Sequence, residues 1–282
     1  MLKVTFFGTT TLLFDDGKDQ ILFDAHFTRP SIQQLLRSEP VRTNSSVCDR
    51  IIKQHHFDRL RAIFVSHTHH DHVMDAPYIS NRCNTKIYGT ESAKNVAIGG
   101  NVKKERIEVF EHGSCYTIGD YKITIIKALH SKPTIINDNI GVPIEEPLSQ
   151  PTALWNYTEG GSFDFYVEHK EHKIMIHPSF NYIEGQLEGF DADVIFLGVA
   201  GLGKADKAEE EKYFAETVEK TKARLVIPVH WDNFFSPLDK PIVEMPEYVD
   251  KYNDVFYKSA KYCSEHDVNF LLQYPCTSID LP

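Results

Sequence analysis

The 282 residues are poor in three things. Cysteine occurs five times, at Cys48, Cys83, Cys115, Cys263 and Cys276, an odd number with no short Cys-x-x-Cys spacing. That pattern argues against a disulfide framework and against a cysteine-rich zinc site. Positive charge is in deficit, with 30 Lys and Arg against 40 Asp and Glu and a formal net charge of −10. Phosphate contacts need concentrated Lys and Arg, so a nucleic acid or an anionic membrane surface is not the expected partner. Long apolar runs are missing too, and none approaches the roughly 18 residues of a membrane span. The opening "MLKVTFFGTTTLLFDDG" reads as strand and turn, without the apolar core of a signal peptide, so a reducing cytoplasm is the expected setting. No repeat, low-complexity tract or Ser/Gly linker marks a boundary, and residues 1–282 are expected to form a single domain.

What is present is a sequence of strands punctuated by helices. Hydrophobic residues make up 41% of the chain, enough for a substantial core. Strands are expected at 4–7 and 20–24, joined through a segment whose Asp16-Gly17 signals a turn. Residues 31–60 read as one or two helices broken around 40–46, followed by an apolar strand at 62–65. Further strands are expected near 106–110, 121–127, 163–168, 173–177, 193–199, 225–227 and 269–272. Residues 131–161, with four prolines, read as a long loop of the kind that usually serves function. Asp206, followed three positions on by Glu209, predicts a helix start, and a last helix is expected over 246–265. Such an order points to α/β sheets covered by helices.

The chemistry is concentrated in "VSHTHHDHVMDAP", residues 65–77. The spacing is His67-x-His69-x-Asp71-His72, directly after a buried strand. Side chains two apart in an extended segment share a face, so His67 and His69 can converge on one cation, with Asp71 and His72 on the next turn. Imidazole and carboxylate are ligands that borderline divalent ions prefer. Three more strand ends deliver an imidazole: His130 after "YKITIIKAL", His177 after "KIMI" and His230 after "ARLVIPV". A sheet gathering those ends at one edge would assemble a pocket. His70 reads as a solvated or supporting residue. His26, His55, His56, His112, His169, His172 and His266 read as ordinary surface or core histidines.

With these residues in view, "SHTHHDH" resembles the HxHxDH signature of the metallo-β-lactamase-fold hydrolases. "VTFFGTTTLLF" and "ILFDAHF" resemble the family's opening strands, "ALHS" its next histidine motif and "VIPVHWDNF" its last. The final "IPVHW" looks most like the branch of ascorbate-6-phosphate lactonase-like proteins and N-acylphosphatidylethanolamine-hydrolysing phospholipase D. The resemblance implies an αββα sandwich, with the segment 25–61 as a helical insertion capping the pocket. It implies that His67, His69 and His130 hold a first ion and Asp71, His72 and His230 a second, with Asp24 orienting a ligand from behind. Zinc is the implied cofactor, one or two ions, with manganese or iron as alternatives.

The pattern breaks at one place. Two-metal members carry an Asp between the ions in a Gly-Asp motif, but "MIHPSFNY" puts Pro178-Ser179 there. Without that charge the second ion is expected to be weak or absent, unless His177 or Ser179 substitutes. The expected activity is metal-dependent hydrolysis of a small ester, lactone or phosphodiester, with Asp71 orienting the water and passing a proton to the leaving group. Lys132, Trp155, Tyr157 and Trp231 are the candidate substrate contacts. The competing reading is a non-catalytic metal-binding or ligand-sensing protein that kept the scaffold and lost the bridging Asp.

Overall fold

A computed structural model describes residues 1–134, 138–241, 245–247 and 249–281. Its strands are β1 (Lys3–Phe6), β2 (Leu12–Asp15), β3 (Gln20–Phe23), β4 (Leu60–Phe64), β5 (Lys86–Gly89), β6 (Ile107–Val109), β7 (Cys115–Ile118), β8 (Tyr121–Lys127), β9 (Phe163–His169), β10 (His172–His177), β11 (Val194–Gly198), β12 (Leu225–Val229), β13 (Asn269–Phe270) and β14 (Thr277–Asp280). The helices are α1 (Ile32–Leu36), α2 (Ser45–Gln54), α3 (His70–Val73), α4 (Ala76–Cys83), α5 (Glu91–Gly99), α6 (Lys207–Phe214) and α7 (Tyr252–Glu265).

Two seven-stranded sheets result, ordered β14-β1-β2-β3-β4-β5-β6 and β13-β12-β11-β10-β9-β8-β7. They are built alike. β14-β1-β2-β3 pair antiparallel and β3-β4-β5-β6 parallel. In the second sheet β7-β8-β9-β10 pair antiparallel and β10-β11-β12-β13 parallel.

Strand alternation divides the core. Phe6, Phe14, Phe23 and Phe64 face inward and meet the second sheet, with Phe14 6.0 Å from Phe196 and Phe23 5.2 Å from Phe165, centroid to centroid. Their neighbours Phe7, Leu13, Leu22 and Ile63 face outward into a second cluster with Ile51 of α2, Ile79 of α4 and Val96 of α5. A strand covered on both faces reads as a continuous apolar run. That is why Leu12-Leu13-Phe14, expected to be part of a connection, forms β2 instead. Helices therefore lie outside the sheets, giving the α/β sandwich.

The remaining expectations hold with adjustments. The insertion does form two helices, α1 and α2, but only α1 reaches the pocket; α2 packs into the outer cluster. The last helix begins at Tyr252, later than expected; ahead of it Val249 N–H donates to the Pro246 carbonyl at 2.7 Å. Tyr248 and residues 135–137 of the long loop lie outside the described residues. Asp206 caps α6 by accepting from Glu209 N–H at 2.9 Å. Among the described residues no helix is long and apolar enough to cross a membrane.

Candidate metal centre

Because β3, β4, β5 and β10, β11, β12 run parallel within their sheets, their C-terminal ends share one edge, where ligand sites of α/β sheets form. β4 leads through Val65 and Ser66 into His67, and His69 is the N-cap of α3, whose first turn carries Asp71. β8 ends just before His130, and β12 just before His230. The ligand atoms of His67, His69 and His130 lie within 4.8 Å of one another, and so do those of Asp71, His72 and His230. The two groups adjoin, with the His67 and His72 ring centroids 3.7 Å apart. All six predicted ligands are thus brought together.

Hydrogen bonds fix what each ring offers. His69 Nε2 lies 2.8 Å from Asn139 Oδ1, and His130 Nδ1 lies 3.0 Å from the Ser131 carbonyl. Both oxygens only accept, so those nitrogens carry the protons and the opposite ones carry lone pairs. The opposite ones, His69 Nδ1 and His130 Nε2, face each other at 3.1 Å. Two lone pairs at that distance repel unless a cation sits between them. Burial lowers the pKa of His67 and His69 and takes His130 down to about 3, which keeps the rings in the neutral form that binds metal. His67 Nε2 and His72 Nε2 are buried without a hydrogen-bond partner, further electron-pair donors beside the same space.

The second group is braced from behind. Asp24 Oδ2 accepts from His72 Nδ1–H at 2.7 Å and from the Ser66 and Thr10 hydroxyls, while Oδ1 accepts from Ser66 N–H at 2.8 Å. The carboxylate thus holds the His72 ring from behind. Burial disfavours charge on His72, but Asp71 and Asp24 outweigh it and raise its pKa. Burial also opposes the Asp71 carboxylate, yet His72, His230 and His70 hold its pKa well below the usual range. Asp71 Oδ2 lies 3.3 Å from His230 Nε2 and 3.6 Å from His72 Nε2.

His230 itself is in the left-handed conformation (φ 60°), as are Thr9 (φ 52°) and Asp24 (φ 53°). Left-handed backbone is uncommon for such residues and clusters at functional sites. Surroundings hold it in place: His230 N–H donates to the Thr9 carbonyl at 2.6 Å, Thr9 N–H to Asp232 Oδ1 at 2.7 Å, and Arg29 pairs with Asp232 Oδ2 at 2.7 Å. Gly8 has φ 97°, and a Cβ there would collide with Arg29 and Asp232, so only glycine fits this turn.

The altered corner is resolved in a way the sequence did not suggest. His177 turns into the sheet, its Nδ1 2.8 Å from Asp164 Oδ2 and its Nε2 2.8 Å from the Asn181 carbonyl. With both nitrogens engaged it does not replace a bridging ligand. Ser179 does line the cavity.

A cavity of about 390 Å³ opens over His69, His70, Asp71, His130 and His230. Trp155 and Tyr157 line it as expected, Trp155 donating to the Leu35 carbonyl of α1 at 2.9 Å. Lys132 stands at the rim, largely exposed and bonded to Glu209. Trp231 is a correction: it points into the core against Phe6 and Phe256, leaving Phe234 and Phe235 as the aromatic wall. His70 is buried beside Phe235 and His26, which removes the solvated alternative and leaves the supporting one. Asn139, Thr10, Ser66, Arg29 and Asp232 were missed. The Thr run after Gly8 and the Asp after "HW" are local cues to Thr10 and Asp232; Asn139 sits in an aperiodic loop with no signal. A third group, Asp16, Asp120 and His169, lies at the far edge of the sheets, where Lys18 and Lys170 approach Asp120 at 3.9 and 3.7 Å.

A sandwich of two mixed sheets with histidines and an aspartate gathered at one edge defines a metallo-hydrolase fold. Residues 19–231 match the beta-lactamase superfamily domain, and the chain belongs to that family. Among solved structures it is similar to an isothiocyanate hydrolase from Delia radicum gut bacteria (12% identity, 99% of each chain covered, TM-score 0.60). It is also similar to the metallo-beta-lactamase fold protein YhfI from Bacillus subtilis (14% identity, 99% and 100% covered, TM-score 0.59). A possible metal-dependent hydrolase from Veillonella parvula matches at 15% identity over 100% of both chains, TM-score 0.58.

Proposed function

We propose that this chain is a zinc-dependent hydrolase of a small ester, lactone or phosphodiester, with residues 1–282 acting as one domain in the cytoplasm. The observation that carries the reading is the face-to-face approach of His69 Nδ1 and His130 Nε2 at 3.1 Å, each bearing a lone pair. Neutral imidazoles with one carboxylate are a donor set suited to zinc, with manganese or iron as weaker fits. When bound, the ion supplies Lewis acidity and makes water acidic enough to attack near neutral pH. His67, His69 and His130 hold the first ion, and Asp71, His72 and His230 form a second position.

Asp71, kept ionised by its histidine neighbours, orients the attacking water and its departing proton. Asp24 fixes the His72 tautomer so that Nε2 presents its lone pair. α1 and the aromatic walls exclude bulk water from the reacting centre. Ser179 offers a hydroxyl where a bridging carboxylate would stand, so the first position fills more tightly than the second. The segment 227–231 supports kinship with the lactonase-like and phospholipase D-like branch.

Elemental analysis of the purified protein, with hydrolysis of generic esters, lactones and bis-p-nitrophenyl phosphate, tests this. Wild type is expected to hold at least one zinc per chain and to turn over, and His69→Ala to lose both. Tight zinc retention with no turnover on any substrate would sink the hydrolase reading in favour of a metal-dependent sensor.

A further inference from the structure

The walls of the cavity narrow the substrate. Leu35 of α1, Leu154 and Trp155, which pack with the outer cluster of the first sheet, form one wall, and Phe234, Met245 and Tyr252, which pack with the core between the sheets, form another. Between these walls lie the metal-type ligands at the floor and a short charged rim. Two cations face the cavity, and each has an acid beside it: Lys132 bonds Glu209, and Lys204 acts on Asp250. Among the described residues no arginine lines the space. A phosphoryl group is normally gripped by forked guanidinium donors or by positive charge in excess of the acids nearby. Apart from the metal-type ligands, the lining acids Glu209 and Asp250 match the two lysines, so the walls supply no positive charge in excess. A chamber of about 390 Å³ with apolar walls and few polar groups is instead the size and character of a site for a mostly apolar small molecule.

We propose that the substrate is a neutral carboxylic ester or lactone with an apolar acyl chain, seated between Trp155 and Phe234, and not a phosphodiester. This rests on the hydrolase reading above. In the reaction the water oxygen bonds to the acyl carbon, the bond from that carbon to the alkoxy oxygen breaks, and the alcohol leaves with a proton taken from the water.

Two measurements test it. The first is calorimetric titration of the metal-free protein with octanamide, acetamide and inorganic phosphate. Octanamide is expected to bind at least about tenfold tighter than acetamide with a negative heat-capacity change, phosphate not to bind, and Trp155→Ala and Phe234→Ala to erase the preference. The second is kcat/KM of the zinc-loaded protein on p-nitrophenyl acetate, butyrate, hexanoate and octanoate, expected to rise about three- to fourfold per methylene.

Octanamide binding without cleavage of any ester would remove the hydrolase reading and leave the apolar acyl site standing. Ester cleavage with no dependence on chain length, faster cleavage of bis-p-nitrophenyl phosphate, or phosphate binding as tight as octanamide would overturn the acyl site and leave the hydrolase intact.

Discussion

β3 and β10 are the central strands of their sheets, each paired antiparallel on one side and parallel on the other, and both end at the edge that carries the pocket. They end differently. After β3 the chain turns through Asp24 in a left-handed conformation, and the carboxylate reaches forward to His72. β10 ends on His177, which reaches sideways to Asp164 on β9 and back to the Asn181 carbonyl. One strand end arms the site, and the other knits its own sheet together. Equivalent positions in a repeated topology therefore carry no guarantee of equivalent chemistry; the partner each side chain finds decides.

The sharpest way to break this contrast is Asp24→Ala. It leaves the His72 ring, two hydroxyls and a backbone N–H buried without their acceptor. We expect a stability loss of about 3–5 kcal/mol, as for other broken buried pairs, read by chemical denaturation. Zinc affinity should drop about 10–100-fold in a competition titration, as when other supports of metal ligands are removed. Asp164→Asn is the matching change under β10. It should cost about 1–3 kcal/mol, the range for a disturbed buried hydrogen bond, and leave zinc stoichiometry unchanged. Loss of the metal in this variant would show that the His177 pair supports the site after all. The smallest effect is expected from Ser179→Asp, which places a carboxylate in the corner facing the cavity. Zinc affinity at the second position should rise about tenfold through added charge compensation, measured as the second step of a metal titration.

How much of this was readable in advance differs from residue to residue. The histidine cluster, His130 and His230 stood out because they follow apolar runs, but so does His177, and it was the resemblance to the metallo-β-lactamase-fold hydrolases that singled out the six. β2 was hidden because Leu12-Leu13-Phe14 is buried on both faces and shows no alternation. β5, β7 and β14 went unread as well: β7 and β14 are largely exposed and carry no apolar run, and β5 offers only Ile87 and Tyr88 between Lys86 and Gly89. Trp231 was misplaced because the residue after a ligand can face either way, and only packing against Phe6 and Phe256 decides. The pairings Arg29–Asp232, His177–Asp164 and His69–Asn139 span separations of 203, 13 and 70 positions. Such contacts depend on where the fold puts distant segments, which no local spacing encodes.

The donors come from both sides of the sandwich: His67, His69, Asp71 and His72 follow a strand of the first sheet, while His130 and His230 follow strands of the second. An ion captured there would act as a rivet through the two slabs, and its grip would help to keep them closed. Any cation that binds only the closed form adds to the melting temperature in proportion to the logarithm of its concentration, so a chelator should loosen the seam as well as silence the chemistry.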